Sequence, residues 1–477
     1  MTRGTRISFG TEGWRAVIAE DFTADNVRLV TQAIAGHVRD SVRGPGRRPL
    51  TLAVGYDTRF LSDYFARAVC EVLAGNRIRS VLTDQAVPTC AVSRYVLERR
   101  LPFGIMVTAS HNPGIYNGLK VKEAFGGSAS PETVASIERR LGRSSVKRLA
   151  FDEAAKIGAI RTVNMMPPFL KGIRSFLDLA AIRRARFRVI VDSMHGAGGR
   201  VIEGLLRGGR CVVETLRAEP DPYFGGEAPE PIPAHLAGLM HAVKRTHADL
   251  GIANDGDADR VGIVGPGGVW LNPGQVLCIL LEHLITTRRM RGAVVKTVSN
   301  TMMINRLAED LGLRVVEVSV GFKHIAKLML EGDVLIGGEE SGGIGVNGYL
   351  PERDGILNGL LVLEAMAAKR QTLPTLLRRL ERRYGRWFSG RRDLRLTPVQ
   401  VERLFRRLGT SPPEACAGVP VVRVDPLDGV KLIARDESWL LFRRSGTEPV
   451  VRIYAETPQR GRLARLLAFG VGLATTP

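Results

Sequence analysis

The sequence predicts an α/β protein in which three related α/β units precede a smaller α+β domain around a shared cleft. Two observations carry that expectation. Apolar, β-branched runs alternate with helical patterns along most of the chain, as in α/β domains with largely buried sheets. The same succession of three strand-like runs also occurs three times, so one structural unit is repeated. A length of 477 residues accommodates several domains of ordinary size.

The first runs of the three units are Leu50 to Asp57, Arg188 to Ser193 and Ala293 to Asn300. The second runs are Ile78 to Thr83, Cys211 to Leu216 and Leu313 to Val318. The third are Phe103 to Val107, Leu250 to Ala253 and Val334 to Ile336, and each leads into a polar, Gly-rich turn. Ligands gather at the carboxyl ends of strands in such sheets, so these turns are expected to share one cleft. Beyond about residue 384 the pattern changes to short strands at Val419 to Val424, Val430 to Ala434, Trp439 to Arg443 and Val451 to Ala455. Helices are expected at Pro398 to Leu408 and Gly461 to Leu473, and this last domain would close the cleft. The expected divisions are 1–155, 156–264, 265–383 and 384–477.

Composition excludes several classes. With 44% hydrophobic and 24% charged residues the chain is neither disordered nor, its 53 Gly lacking a triplet period, collagen-like. No apolar run approaches the ~18 residues that span a bilayer. The start, Met1 to Arg6, leads into no apolar core, so a cytoplasmic protein without a secretory leader is expected. The five Cys lie far apart with no CxxC, which favours buried free thiols over disulfides or zinc. The net charge of +20 comes from scattered arginines, including pairs such as Arg391-Arg392, with neither aromatic interleaving nor a DNA-binding motif. A solvated Arg-rich surface is expected, with no nucleic-acid or membrane partner, and its field favours anionic ligands such as phosphates.

Four loops carry candidate chemistry. The first is Thr108-Ala109-Ser110-His111-Asn112-Pro113, followed by Tyr116 to Lys120. Ser110 leaves a buried strand into a turn set by Asn-Pro, where an activated hydroxyl forms covalent intermediates; a turn held by its own side chains fits the same residues. The second is Asp255-Gly256-Asp257-Ala258-Asp259-Arg260. Alternating carboxylates repel unless a cation neutralises them, and oxygen-only ligands suit Mg²⁺, Mn²⁺ or Ca²⁺; a solvated acidic turn fits the same residues. An EF-hand is excluded, because Arg260 and Pro266 stand where its Gly and Glu belong. In the third, Gly337 to Gly343, two carboxylates and Ser341 suit vicinal sugar hydroxyls, or form an ordinary mobile turn. The fourth runs from Arg443 to Pro449, with Arg452 on the next strand; its hydroxyls, Gly446 and arginine fork suit a phosphate dianion, or a hairpin with surface arginines. No Walker A motif is present.

Together these loops, with Phe9-Gly10-Thr11-Glu12-Gly13-Trp14-Arg15, resemble the α-D-phosphohexomutase family of phosphoglucomutases, phosphomannomutases and phosphoglucosamine mutases. The motifs occur in family order and cover essentially the whole chain. The resemblance implies mixed four-stranded sheets in the three units and a TATA-binding-protein-like fourth domain. It also implies phosphoserine at Ser110 and Mg²⁺ on Asp255, Asp257, Asp259 and the Ser110 phosphate. Arg15, His111, Lys120 and Arg260 would surround the transferring phosphoryl group, with Lys120 the acid–base candidate. Glu339 and Ser341 would hold sugar hydroxyls, Lys323 would lie near substrate, and Arg443, Ser445, Gly446 and Thr447 would grip the other phosphate. Ligands would be small sugar phosphates, with a hexose 1,6-bisphosphate as intermediate and activator, and the enzyme a monomer or small homo-oligomer. Gly-Glu-Glu-Ser ranks glucose first, mannose second and glucosamine third; a metal-dependent sugar phosphatase is the rival reading. Gly343 replaces a histidine common in relatives, Thr108 departs from the phosphoglucosamine mutase pattern, and Glu12 reads as a neutral exchange.

Overall fold

The computed structural model describes residues 7–10, 12–42, 49–444 and 450–475. Its first sheet contains β1 (Trp14–Val17), β2 (Thr51–Tyr56), β3 (Arg79–Thr83), β4 (Phe103–Val107), β5 (Tyr116–Glu123) and β6 (Ile160–Val163), in the order β1-β5-β4-β2-β3-β6. The second contains β7 (Arg188–Asp192), β8 (Val212–Leu216), β9 (Leu250–Asn254), β10 (Val261–Gly265) and β11 (Val269–Leu271), in the order β11-β10-β9-β7-β8. The third contains β12 (Ala293–Thr297), β13 (Val315–Val318), β14 (Val334–Gly338) and β15 (Ile344–Val346), in the order β13-β12-β14-β15.

One four-stranded core recurs as β3-β2-β4-β5, β8-β7-β9-β10 and β13-β12-β14-β15. In each, three strands are parallel and the last is antiparallel to its neighbour. The expected mixed four-stranded sheet is therefore the common core, extended to six strands in the first unit and five in the second. These additions move two expected divisions: β6 follows residue 155 yet pairs with β3, and β11 follows residue 264 yet pairs with β10. Edge strands of four and three residues are too short to carry a readable alternation. The interior strands β4, β9, β12 and β14 are buried at every residue, which is why they read as continuous apolar runs.

The antiparallel fourth strand positions the chemistry. Because β4–β5, β9–β10 and β14–β15 are hairpins, their connections are the Ser110, Asp255–Asp259 and Glu339–Gly343 loops at equivalent places in the three units.

The last domain is an antiparallel sheet of β16 (Phe388–Arg395), β17 (Ala415–Cys416), β18 (Val419–Asp425), β19 (Val430–Ala434), β20 (Trp439–Arg444) and β21 (Val450–Thr457), ordered β16-β21-β20-β19-β18-β17. Period-two alternation along β20 gives it two apolar faces. Leu440 and Phe442 pack with Leu404, Leu408 and Leu466 of the helices Pro398–Thr410 and Arg460–Thr475. Trp439 and Leu441 pack with Tyr454 against Val298 of the third unit. Lys431 Nζ adds a bond to Val298 O at 2.7 Å, and Met302 N donates to Glu456 Oε2 at 2.8 Å.

The helix Gly355–Lys369 is buried along most of its length and ties the second unit to the third. Asp354 caps it by accepting from Leu357 N. Its start rests on the aspartate loop: Gly355 N donates to Ala258 O at 3.0 Å, and a Cβ at 355 would collide with Arg260 O. Further along, Glu364 accepts from His283 Nε2 (3.0 Å), Arg288 Nε (2.7 Å) and Asp178 N (3.0 Å). Burial alone raises its pKa, but the His283 and Arg288 hydrogen bonds outweigh that and hold it down to about 2. A depressed carboxyl stabilises the fold above its unfolded pKa and loses that contribution as pH falls through the folded value. Glu364 therefore contributes up to about 3 kcal/mol that disappears between about pH 4.5 and 2. In urea titrations at several pH values, Glu364→Gln should flatten this acid limb; an unchanged slope would show that the carboxylate is not responsible.

Candidate active site

The Ser110 loop is held from beneath by a buried arginine. Arg59 donates to the carbonyls of Ser110 (2.5 Å), Asn112 (2.6 Å), Pro113 (2.9 Å) and Tyr116 (3.0 Å), and pairs with Asp57 at 3.2 Å. Asp57 also accepts from Thr108 Oγ1 at 2.6 Å, and Thr108 Oγ1 accepts from Ser110 N at 2.8 Å. This network holds Ser110 at φ 54°, a backbone region that side-chain-bearing residues enter at a cost. The result directs Ser110 Oγ at Asp255 Oδ2, 2.9 Å away.

Asp255, Asp257 and Asp259 are fully buried, and each offers an oxygen within 4.8 Å of the others. Their remaining bonds sort their oxygens. Asp257 Oδ2 accepts from Thr89 Oγ1 (2.5 Å) and Lys120 Nζ (2.7 Å), and Asp259 Oδ2 accepts from Lys120 Nζ (2.9 Å) and Arg353 Nη2 (2.7 Å). Asp257 Oδ1 and Asp259 Oδ1 are left buried without a partner. Burial, followed by the Asp259 and Asp257 charges, pushes Asp255 well above the usual carboxylate range. Burial opposes ionisation of Asp259 too, but Arg353 and Lys120 hold it well below that range. Oxygen-only donors, orphaned carboxylate atoms and excess negative charge fit a hard divalent cation such as Mg²⁺. The loop residues and Ser110 could hold it, and it would neutralise charge on a phosphoryl group.

Cations surround this centre. Lys120 is buried; burial disfavours its charge, but Asp257, Asp259 and Glu12 raise its pKa, so it stands as an ammonium. Arg15 donates to Asn112 Oδ1 at 2.8 Å, and Arg260 donates its backbone N to Asp255 Oδ1 at 2.9 Å. His111 Nδ1 is buried and unpartnered, and burial with Arg260 and Arg15 pushes the imidazole well below its ordinary pKa, leaving it neutral.

In the third loop Glu339 is buried and accepts from Arg353 Nη1 at 2.9 Å. Burial raises its pKa to about 7, with Arg353 opposing. Ser341 is half-buried beside it, whereas Lys323, half-buried near the start of helix Phe322–Glu331, contacts none of these groups. In the last domain Arg443 and Arg452 are directly opposite each other on β20 and β21. Arg443 Nε donates to Asp428 Oδ2 at 2.7 Å, and Arg452 lies 4.0 Å from Asp393. Ser445, Gly446 and Thr447 lie outside the described residues.

Three groups escaped the sequence reading. Arg59 and Asp57 had one available signal, since Asp57 ends a first-run strand where ligand-side loops begin. Arg353 had none, because it lies outside the four loop motifs and its partners are distant in sequence. Glu12, read as neutral, pairs with three cations: its carboxylate grips Arg353 and lies 3.6 Å from Arg15 and 3.8 Å from Lys120.

Comparison with known proteins agrees with this architecture. The phosphoglucomutase/phosphomannomutase profiles match in order: alpha/beta/alpha domain I at residues 6–147, domain II at 167–268, domain III at 272–384 and the C-terminal domain at 400–470. A phosphoglucomutase/phosphomannomutase of Thermococcus kodakarensis is 29% identical over 98% of both chains. A "probable phosphoglucosamine mutase" of Methanothermobacter thermautotrophicus is 32% identical over 94% of this chain and 93% of its own. A crystal structure of a Thermus thermophilus protein assigned as a phosphomannomutase superposes with a TM-score of 0.85 at 37% identity, covering 98% of this chain and 99% of that one. Four domain profiles matched in order, with relatives named as mutases, make the chain a phosphohexomutase, an isomerase that moves a phosphoryl group within a sugar phosphate. The chain belongs to the phosphoglucomutase/phosphomannomutase family. Among the described residues no helix is long and apolar enough to cross a membrane, and all five cysteines are free.

The aspartate loop should respond to cations. Mg²⁺ at about 100 times its Kd should add about 2.7 kcal/mol and raise Tm by a few degrees over an EDTA-treated sample. Asp257→Asn should abolish the rise; an equal rise in that variant would place the cation elsewhere.

Proposed function

We propose that the enzyme interconverts glucose 1-phosphate and glucose 6-phosphate through phosphorylated Ser110 and a glucose 1,6-bisphosphate intermediate, with Mg²⁺ on the aspartate loop. The observation that carries this reading is Ser110 Oγ lying 2.9 Å from Asp255 Oδ2, in a buried centre rich in both carboxylates and cations. In the first half-reaction the phosphoryl group leaves Ser110 Oγ for the sugar's 6-hydroxyl; the P–Oγ bond breaks and a P–O6 bond forms. Lys120, an ammonium, gives a proton to Oγ as the P–Oγ bond breaks and recovers the proton lost from O6, so the net transfer is from O6 to Oγ. The bisphosphate then turns end for end, and Ser110 recovers the phosphoryl group from position 1. Phosphoryl transfer of this kind depends on alignment and charge neutralisation, which Arg15, Lys120 and Arg260 supply.

Glu339 and Ser341 hold sugar hydroxyls in this reading. Arg443, Arg452 and the Ser445–Thr447 segment take the phosphate that is not transferred. Two arginines directly opposite on one ladder rung favour that role, because they bring two guanidinium forks together, the group that suits a phosphate dianion. Glucose is ranked first on Gly-Glu-Glu-Ser; the Thermus and Methanothermobacter relatives keep mannose and glucosamine as the alternatives.

Phosphorus NMR of the enzyme with Mg²⁺, a trace of glucose 1,6-bisphosphate and equimolar glucose, mannose and glucosamine 1-phosphates tests both parts. Growth of 6-phosphate signals without free phosphate is expected, fastest for glucose. Release of inorganic phosphate alone would make the protein a phosphatase. Ser110→Ala should lower turnover by at least about 10⁴-fold with Tm little changed; near-normal turnover would rule out the covalent route.

A further inference from the structure

Arg353 is 1% exposed and joins loops from three structural units. Its Nη2 donates to Glu12 Oε2 (2.5 Å) and Asp259 Oδ2 (2.7 Å), and its Nη1 donates to Glu339 Oε2 (2.9 Å) and pairs with Glu12 Oε1. The amino-terminal loop, the aspartate loop and the Glu339 loop thus meet on one planar fork, which no point-charge ammonium reproduces. The preceding residue strengthens the junction: Glu352 Oε2 accepts from Lys122 Nζ (2.5 Å) and Ser128 Oγ (2.9 Å) of the first unit.

We propose that Arg353 is a positioning residue that couples the cation site to the sugar-binding loop, and that Gly343 leaves the space in which it lies. Two observations carry this. By taking Asp259 Oδ2, the guanidinium leaves Asp259 Oδ1 as one of the two unpartnered oxygens of the triad, as an outer group orients a ligating carboxylate. The same guanidinium fixes Glu339, so movement of either loop strains the other. A Cβ at residue 343 would collide with Arg353 Cδ and meet Glu339 Oε2 at 2.9 Å, so any side chain there displaces the fork. Gly343 carries no positive φ, so the requirement for glycine is one of space.

The proposal rests on the mutase reading only for what Glu339 binds; its cation arm stands without it. The test is a double-mutant cycle with Gly343→Ala, Arg353→Met and both together. Mg²⁺ affinity by calorimetry, kcat and KM for the hexose phosphate, and Tm are measured for each. Each single variant should weaken Mg²⁺ binding roughly 10- to 100-fold and raise the sugar KM as well. The double variant should be no worse than Arg353→Met, because Gly343→Ala acts by displacing the same side chain. Arg353→Lys, which keeps charge but loses the fork, should restore Tm more fully than it restores either binding constant, and it carries the test if Arg353→Met does not fold. Unchanged Mg²⁺ affinity in Gly343→Ala, or losses that multiply in the double variant, would overturn the proposal. Wild-type turnover of all three sugars is recorded alongside, so absence of mutase activity is seen separately from a failure of the coupling.

Discussion

Asp255, Asp257 and Asp259 are buried with oxygens no more than 4.8 Å apart, and much of the site follows from containing that charge. At an effective dielectric constant near 20, each pair at that separation repels by about 3 kcal/mol, before any cost of desolvation. Three units contribute to the relief. Thr89 and Lys120 come from the first, the Arg260 backbone from the second and Arg353 from the third. The domain arrangement is thus held together at the place where phosphoryl chemistry would occur. The relief is also incomplete, since two carboxylate oxygens remain unpartnered and Asp255 is driven toward its protonated form. A centre so arranged is primed for one more positive charge.

The repeated topology explains how three loops of unlike chemistry reach that centre. In each unit the third strand is interior and parallel to its neighbour, so its carboxyl end faces the ligand side of the sheet. Following it with an antiparallel partner turns the connection into a hairpin anchored at both ends. Such a loop can hold strained or charged residues because the sheet over-determines its ends. Ser110 at φ 54° is one case, and the aspartate triad is another.

Much of this was legible in the sequence, for a physical reason that also sets the limit. Interior strands such as β4 and β9 are buried on both faces and declare themselves as apolar runs, and their polar turns stand out by contrast. Three of the four loop motifs were found this way, and with them Ser110, Asp255, Asp257, Asp259 and Glu339. What stayed hidden is held by contacts distant in sequence: Arg353 reaches Glu12 across 341 positions and Asp259 across 94. Arg59 grips its loop mostly through backbone carbonyls, which leave no pattern of residue types. Glu12 read as a neutral exchange for the same reason, because its significance lies in Arg353. Edge strands β6 and β11 were lost to their shortness instead.

The last domain shows how an apolar constraint can hold an electrostatic one in place. On β21, Arg452 and Tyr454 are two residues apart and share a face; on β20, Leu441 and Arg443 do the same, and on β16, Arg391 and Asp393. Leu441 and Tyr454 are fixed against Val298 of the third unit, so the arginines on that face are turned toward the same unit. Arg391 stands directly opposite Tyr454 on the neighbouring strand and so shares this face, where it remains exposed, as its sequence predicts. Arg443 and Arg452 are opposed on one rung, where their repulsion is eased by Asp428 and Asp393. Sliding the sheet by one residue would turn this face to solvent and bring the helix-packed face inward. The packing of Trp439, Leu441 and Tyr454 prevents that slip, and the same apolar contacts that attach the domain therefore keep these arginines on the face that meets the third unit.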